Sequence, residues 1–180
     1  ALDEPGSGTL VDARLILGAY GLKDADLKAE YLKPNQAGDK LKDGALDAFF
    51  FVGGAPAGAI AELASSGAGI ELVALTGSPS DGLRMANPYF AVDTIPAGTY
   101  KDVPAVQTLA VGAQWVTSAK ADTETVYQIT KGLFSDATQK ALAAGHAKGK
   151  FITKENAVQG AGIPFHPGAA RFYREAGVLK

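Results

Sequence analysis

The sequence predicts an α/β fold in which helices cover both faces of a mainly parallel sheet. Helical and extended patterns alternate along the first half of the chain, and glycine turns separate extended segments from the helices that follow. Residues 46–52 are apolar except for Asp47, as in a parallel strand buried on both faces. With 180 residues, of which 47% are hydrophobic, the chain can bury the core of one domain or of two small ones.

The composition excludes several classes of protein. The formal net charge is −2 and the charges are scattered, so we expect no nucleic-acid partner and no polybasic membrane patch. The absence of cysteine excludes disulfides and cysteine nucleophiles, and no apolar run approaches the roughly 20 residues that span a bilayer. No catalytic motif occurs, and Asp43 and Asp47 lack a third ligand at metal spacing. We therefore predict no catalytic residue, metal or cofactor.

The first glycine turn, Pro5-Gly6-Ser7-Gly8-Thr9, lies directly before a run of helical periodicity from Leu10 to Leu22. Glycines allow successive N–H groups to converge, and a helix start adds unpaired N–H groups and a positive dipole end. Together with the hydroxyls of Ser7 and Thr9, these groups form a candidate cradle for a carboxylate or phosphate. A plain strand-to-helix turn with a Ser or Thr cap uses the same residues, and both interpretations stay open.

A second strand, glycine turn and helix start follow further along the chain. Gly53 and Gly54 end the apolar run, and Ala55-Pro56 begins a helix, because proline is tolerated in the first helical turn. Loops at the carboxyl ends of parallel strands collect in one crevice of an α/β sheet. We therefore expect both glycine loops to open at the same edge.

The other predicted elements continue the alternation and then become mainly helical. They are a helix from Pro34 to Gly44, a strand from Ile70 to Thr76, a helix from Ser78 to Met85, strands at Phe90–Ile95 and Leu109–Thr117, and helices starting near Asp122, Asp136, Lys154 and His166. Asp122 is the expected cap of its helix, and Asp136 with Gln139 is the expected cap of the next.

Three kinds of ring side chain could serve either packing or binding. His166 has no carboxylate or nucleophile motif beside it, which favours a capping or packing role over acid–base chemistry. Trp115 lies in an apolar extended run and is expected to pack in the core or at a hinge. Tyr89, Phe90 and Tyr100 either wall a cleft or belong to the core or a surface turn, and the sequence leaves this open.

Five segments carry a resemblance to a known family. They are Gly-Ser-Gly-Thr at 6–9, Leu-Lys-Asp-Gly-Ala-Leu-Asp-Ala-Phe-Phe-Phe-Val-Gly-Gly-Ala-Pro at 41–56, Val-Gly-Ala-Gln-Trp-Val-Thr at 111–117, Val-Tyr-Gln-Ile-Thr-Lys at 126–131 and Ile-Pro-Phe-His-Pro-Gly-Ala-Ala-Arg-Phe-Tyr-Arg-Glu-Ala-Gly at 163–177. In these segments the chain resembles the TAXI family, the TRAP-associated extracytoplasmic solute-binding proteins of bacteria and archaea. The closing segment is the most specific of the five.

The resemblance implies a periplasmic binding protein type II-like fold, with two α/β lobes joined by crossing strands. Members of the family are longer at the amino end, so the chain resembles their carboxyl-terminal part. Residues 1–100 would form one complete three-layer α/β ligand-binding lobe. Residues 101–180 would supply a crossover strand and helices of an incomplete second lobe. Because half of the site would lie elsewhere, we expect weak or no solute binding by these 180 residues alone.

The resemblance also implies a function. The family binds a small organic anion, such as an amino acid or dicarboxylate, and delivers it to the membrane subunits of a TRAP transporter. The implied location is periplasmic or extracytoplasmic, with a leader peptide removed. In the family, the loop matching Gly6, Ser7, Gly8 and Thr9 and the loop matching Gly53, Gly54 and Ala55 face the solute.

One alternative function uses the same bilobal fold. The chain could be the ligand-sensing domain of a regulator, or an enzyme, because fold alone does not dictate function. A regulator would need a DNA-reading helix-turn-helix, and an enzyme would need a reacting pair in the cleft. The sequence contains neither, so we expect a binding protein rather than an enzyme.

Overall fold

The computed structural model describes all 180 residues of the chain. They form two compact units, Ala1–Val111 and Gly112–Lys180. The fold is mixed α/β with 45% of the residues in helices and a small sheet, which confirms the predicted class. None of the helices combines the length and the apolar character needed to cross a bilayer.

The first unit contains four helices and two strands. In chain order they are α1 (Gly8–Ala19), α2 (Pro34–Lys42), α3 (Gly58–Ser65), α4 (Gly77–Ala86), β1 (Phe90–Ile95) and β2 (Val106–Val111), with a 3₁₀ turn at Asp24–Asp26. The two strands pair antiparallel, with Phe90 opposite Val111 and Ile95 opposite Val106. β1 matches the predicted strand from end to end, so that prediction is confirmed.

Two predicted strands, at residues 46–52 and 70–76, are extended segments without a regular ladder. Ala1 donates its N–H to the Ala48 carbonyl and accepts from the Phe50 N–H, which is the bonding pattern of a parallel pair with Ala1 opposite Phe49. The segment 70–76 is joined to β2 by a bond from the Leu75 N–H to the Gln107 carbonyl. The prediction of a mainly parallel sheet is therefore wrong: the only regular sheet is the antiparallel pair of β1 and β2, and parallel pairing is limited to the contact of Ala1 with Phe49.

The prediction that residues 46–52 are buried on both faces is wrong, because no residue of this segment is fully buried and Ala48 is exposed. Phe51 and Val52 are 37% and 42% exposed. Burial on both faces requires neighbours along both edges and helices above and below. That cover reaches Phe49 and Phe50, where the core clusters lie, and does not extend to the next two residues.

Helices lie on both faces of the extended segments, as in a three-layer α/β unit. Phe50 packs against the clusters built on α1, whereas Phe49 packs against the cluster built on α3. Successive residues of an extended chain point to opposite faces, so these two contacts place α1 and α3 on opposite sides. The α1 side contains Leu2, Leu10, Ala13, Ile16, Leu17, Leu83 and Phe90, and the α3 side contains Ile60, Ala64, Tyr100 and Val103.

The second unit is helical. Its elements are α5 (Thr123–Leu133), α6 (Asp136–Gly145), a 3₁₀ turn (Ala147–Phe151), α7 (Lys154–Ala157) and α8 (Pro167–Glu175). Aromatic rings join α8 to the end of α5, since the Phe134 ring stacks on Phe172 at 5.6 Å between centroids and meets Tyr173 edge-on. Packing of α5 against α8 therefore forms the centre of this unit.

Helix starts in this unit follow local side-chain chemistry. Asp122 caps α5 through a bond from the Thr125 N–H to Oδ2 (2.8 Å), as predicted. His166 caps α8, because its Nδ1 accepts from the Gly168 N–H at 3.2 Å, which confirms the capping role. The predicted cap of α6 is wrong by one residue: the Ser135 hydroxyl accepts from the Thr138 N–H, and Asp136 is the first helical residue.

Three further expectations differ from the structure. β2 ends at Val111, so residues 112–117 are not part of a strand. Trp115 is 75% exposed and does not pack in a core, and the residues on either side of it are also exposed. The helix expected at Ala55-Pro56 begins at Gly58 instead, after a cis peptide bond between Ala55 and Pro56.

Candidate anion-binding site

The turn before α1 closes through backbone bonds and a serine cap. Gly6 adopts φ +86°, a conformation that glycine reaches without steric cost. The Ser7 N–H donates to the Glu4 carbonyl at 3.1 Å. The Ser7 hydroxyl oxygen accepts from the Leu10 N–H, also at 3.1 Å, so Ser7 is the N-cap of α1.

Two N–H groups at this helix start have no acceptor. The first four N–H groups of an α-helix lack partners within the helix. Here the groups of Ser7 and Leu10 are satisfied by the turn and the cap, whereas the structure gives no acceptor for those of Gly8 and Thr9. The cap uses only a lone pair of the Ser7 oxygen, so its hydroxyl proton also stays available. The turn therefore offers three hydrogen-bond donors beside the positive end of a helix dipole.

The two hydroxyls of the turn differ in exposure. Ser7 is half-buried, whereas Thr9 is 9% exposed and belongs to the buried face of α1.

The second loop is open at its glycines and fixed at its end. Gly53 and Gly54 are exposed and Ala55 is half-buried. A Cβ atom at Gly53 would lie 2.7 Å from the Phe51 ring, so a larger residue there would require this ring to move. After the loop, the Ala57 N–H donates to the Tyr100 hydroxyl at 2.9 Å.

Parallel pairing places the two loops at one edge of the first unit. Ala1 lies opposite Phe49, and both segments run in the same direction. The turn at Gly6–Thr9 follows the first segment, and the loop at Gly53–Ala55 follows the second within a similar number of residues. Both loops therefore leave their segments at the same edge.

Two carboxylates lie close to the turn in sequence. Glu4 is exposed and has Lys33 Nζ at 3.9 Å from its Oε1, so its charge is partly balanced outside the turn. Asp12 follows Gly8 by one helical turn and lies on the same face of α1. Burial raises the pKa of the Asp12 carboxyl above its ordinary value. The sequence analysis missed Asp12, although its spacing from Gly8 was a usable signal.

The groups at the candidate site are suited to hydrogen bonding with an anion rather than to holding a metal ion. The available groups are neutral N–H and O–H donors, and the chain contains no group of three or more His, Cys, Asp and Glu side chains that could hold a metal ion. Neutral dipoles bind an anion without forming a bond to it, and they release it when the surroundings open.

The mixed α/β architecture, with helices on both faces of the extended segments, is consistent with a periplasmic-binding-protein-like lobe. The chain belongs to the NMT1-like family, whose family model matches residues 2–177. This family is periplasmic-binding-protein-like and includes TAXI/TRAP solute-binding proteins. It is a family of binding proteins that are typically extracytoplasmic.

Proposed function

We propose that the chain is part of an extracytoplasmic receptor of a TRAP-type transporter, of the TAXI kind, that binds a small organic anion such as an amino acid or dicarboxylate. In this proposal Gly6, Ser7, Gly8 and Thr9 hold a carboxylate, and Gly53, Gly54 and Ala55 form the opposite wall. Residues 1–100 act as the ligand-binding lobe, and residues 101–180 supply the crossover segment and the helices of a second lobe. The membrane subunits of the transporter are the partner that receives the solute.

One observation carries the proposal: Gly8 and Thr9 present unpaired N–H groups at the start of α1. N–H groups at a helix start are satisfied by side chains, by water or by a ligand, and the positive end of the helix dipole favours a negative group there. The family adds a reason for a solute to be that group, because the matched family is one of solute-binding proteins.

The number of donors sets the expected affinity. Hydrogen bonds to a charged group contribute about 1.5–3 kcal/mol each, so three donors give roughly 5–9 kcal/mol. Association costs at least about 4 kcal/mol, so the net gain is about 1–5 kcal/mol, and the middle of that range, about 3 kcal/mol, corresponds to a Kd of several millimolar. This estimate narrows the expectation for these 180 residues from weak or no binding to millimolar binding.

Solution NMR tests the proposal at this affinity. Succinate and L-glutamate are titrated to tens of millimolar into ¹⁵N-labelled protein, with sodium chloride at matched ionic strength as the control. The proposal expects saturable shifts of the amide signals of Gly8, Thr9, Gly53 and Gly54 that chloride does not reproduce. Shifts that are absent from both loops, or confined to other parts of the chain, would contradict it.

A further inference from the structure

Two helices of the first unit are capped by tyrosines from distant parts of the chain. The N-cap residues of α3 and α4, Ala57 and Thr76, make no side-chain cap bond of their own. The Ala57 N–H donates to the Tyr100 hydroxyl at 2.9 Å, and the Thr76 N–H donates to the Tyr20 hydroxyl at 3.0 Å. A phenol oxygen from another element thus fixes the chain just before each helix.

The two tyrosines act at different places. Tyr100 follows β1 and fixes Ala57, the N-cap of α3, two residues after the loop Gly53–Ala55. Tyr20 follows the last residue of α1, a helix of 12 residues. At 1.5 Å per residue, Tyr20 is about 18 Å along the helix axis from the Ser7 turn. The Tyr20 hydroxyl also bonds to the Thr76 carbonyl and the Ser80 hydroxyl.

The Tyr100 side chain is held in place by the core. It is 5% exposed and packs with Ile60, Ala64 and Val103 in the core cluster built on α3. A ring held on all sides has few rotamers, so its hydroxyl stays at one position. The bond to Ala57 therefore ties the end of the second loop to the core.

We propose that Tyr100 is a positioning residue for the anion site, since its hydroxyl fixes the geometry of the Gly53–Ala55 loop. This inference rests on the proposed function. Glycine loses more conformational freedom on ordering than any other residue, and this loop contains two of them. Its first end is held by the extended segment at Phe49 and Phe50, and its second end by the bond from Ala57 to Tyr100. Without that bond, the solute would have to order the loop itself, at the expense of affinity.

Tyr100→Phe removes the hydroxyl and keeps the buried ring. Tyr20→Phe is the matched control, because it removes the same atom from the other tyrosine cap and leaves both site loops unchanged. Binding of succinate and L-glutamate is followed by NMR in the wild type and in both variants. Amide hydrogen exchange without ligand reports whether the Ala57 N–H has lost its acceptor, and urea unfolding reports stability.

We expect Tyr100→Phe to lose protection of the Ala57 amide and to raise the Kd for the bound probe about threefold to tenfold, the range of one hydrogen bond. Tyr20→Phe is expected to lower the free energy of unfolding by about the contribution of one hydrogen bond. It should leave the Kd within twofold of the wild type. A purely structural role of Tyr100 would give the two variants the same Kd, and that result overturns the inference. If the wild type binds neither probe, the proposed function fails and takes this inference with it.

Discussion

Replacing Ser7 by aspartate separates the two roles that this residue can have. Asp and Ser are about equally good N-caps, because either side chain accepts from an N–H of the first turn. Ser7→Asp therefore keeps an acceptor for the Leu10 N–H, which the Ser7 hydroxyl binds at 3.1 Å. The carboxylate also suits the positive end of the helix dipole. The same carboxylate would meet a bound anion at the N–H groups of Gly8 and Thr9.

The size of this effect follows from the position of Ser7. An anion bound to the N–H groups of Gly8 and Thr9 would lie about 4 Å from the new carboxylate. At that distance two like charges repel by about 1 kcal/mol in water and about 4 kcal/mol near a protein surface. Ser7 is half-buried, so its surroundings lie between these limits. The affinity for succinate should therefore fall by between roughly fivefold and a thousandfold.

Two assays on two variants test this reasoning. Ser7→Ala loses the cap and should reduce the free energy of unfolding by about 1 kcal/mol in urea titrations, whereas Ser7→Asp should stay close to the wild type. In NMR titrations with succinate, Ser7→Asp should lose the shifts of the loop amides, and Ser7→Ala should bind more weakly than the wild type. Wild-type affinity in Ser7→Asp would refute the placement of the anion at this turn.

Two further predictions concern stability. Burial raises the pKa of Asp12 above its ordinary value of 3.8, so the folded protein binds this proton more strongly than the unfolded chain does. As the pH rises from 3.8 to above the raised pKa, the carboxyl group ionises and the free energy of unfolding falls. Asp12→Asn should therefore unfold at higher urea concentration than the wild type at pH 7, with no gain below pH 3.8, and an equal midpoint at pH 7 would contradict this. A Cβ atom at Gly168 would lie 2.3 Å from the Thr123 carbonyl oxygen, so Gly168→Ala should destabilise the second unit by about 1–3 kcal/mol. Gly132→Ala, in α5 with no atom near the new methyl group, should be neutral or stabilise by up to about 1 kcal/mol, and similar unfolding curves for the two variants would show that the helices are not in close contact at Gly168.

Helix starts were predictable because their causes are local. Asp122 and His166 each bond to an N–H within three residues, so the sequence around them contains both partners. The error at α6 has the same scale, since Ser135 and Asp136 are both good caps and only the backbone geometry decides between them. Errors of this kind move a boundary by one residue without changing the fold.

Burial of the extended segments was less predictable because it depends on distant residues. The apolar run at 46–52 indicates a buried strand, yet Phe51 and Val52 remain partly exposed beyond the reach of the core clusters. Trp115 shows the same limit, because an apolar neighbourhood in sequence does not supply cover in space. A pattern of side chains predicts which residues prefer burial, and the available partners decide which of them obtain it.

Candidate loops could be recognised one at a time, whereas their surroundings could not. Gly6–Thr9 and Gly53–Ala55 have local signatures, and the pairing of Ala1 with Phe49 then places them at one edge. The bond from Ala57 to Tyr100 joins residues 43 positions apart, and no local sequence pattern around either residue predicts it. Long-range hydrogen bonds of this kind are fixed by the folded core rather than by a motif.

The two interpretations of the Ser7 turn, as a helix cap or as an anion cradle, are compatible. A hydroxyl has two lone pairs and one proton, and the cap to Leu10 uses one lone pair. The N–H groups of Gly8 and Thr9 are equally unaffected, because a single cap cannot satisfy every donor at a helix start. The cap in fact prepares the cradle, since it fixes the backbone that presents those two N–H groups. Because every helix start leaves N–H groups without partners in the helix, the response of these two amide signals to succinate is what distinguishes a binding turn from a structural one.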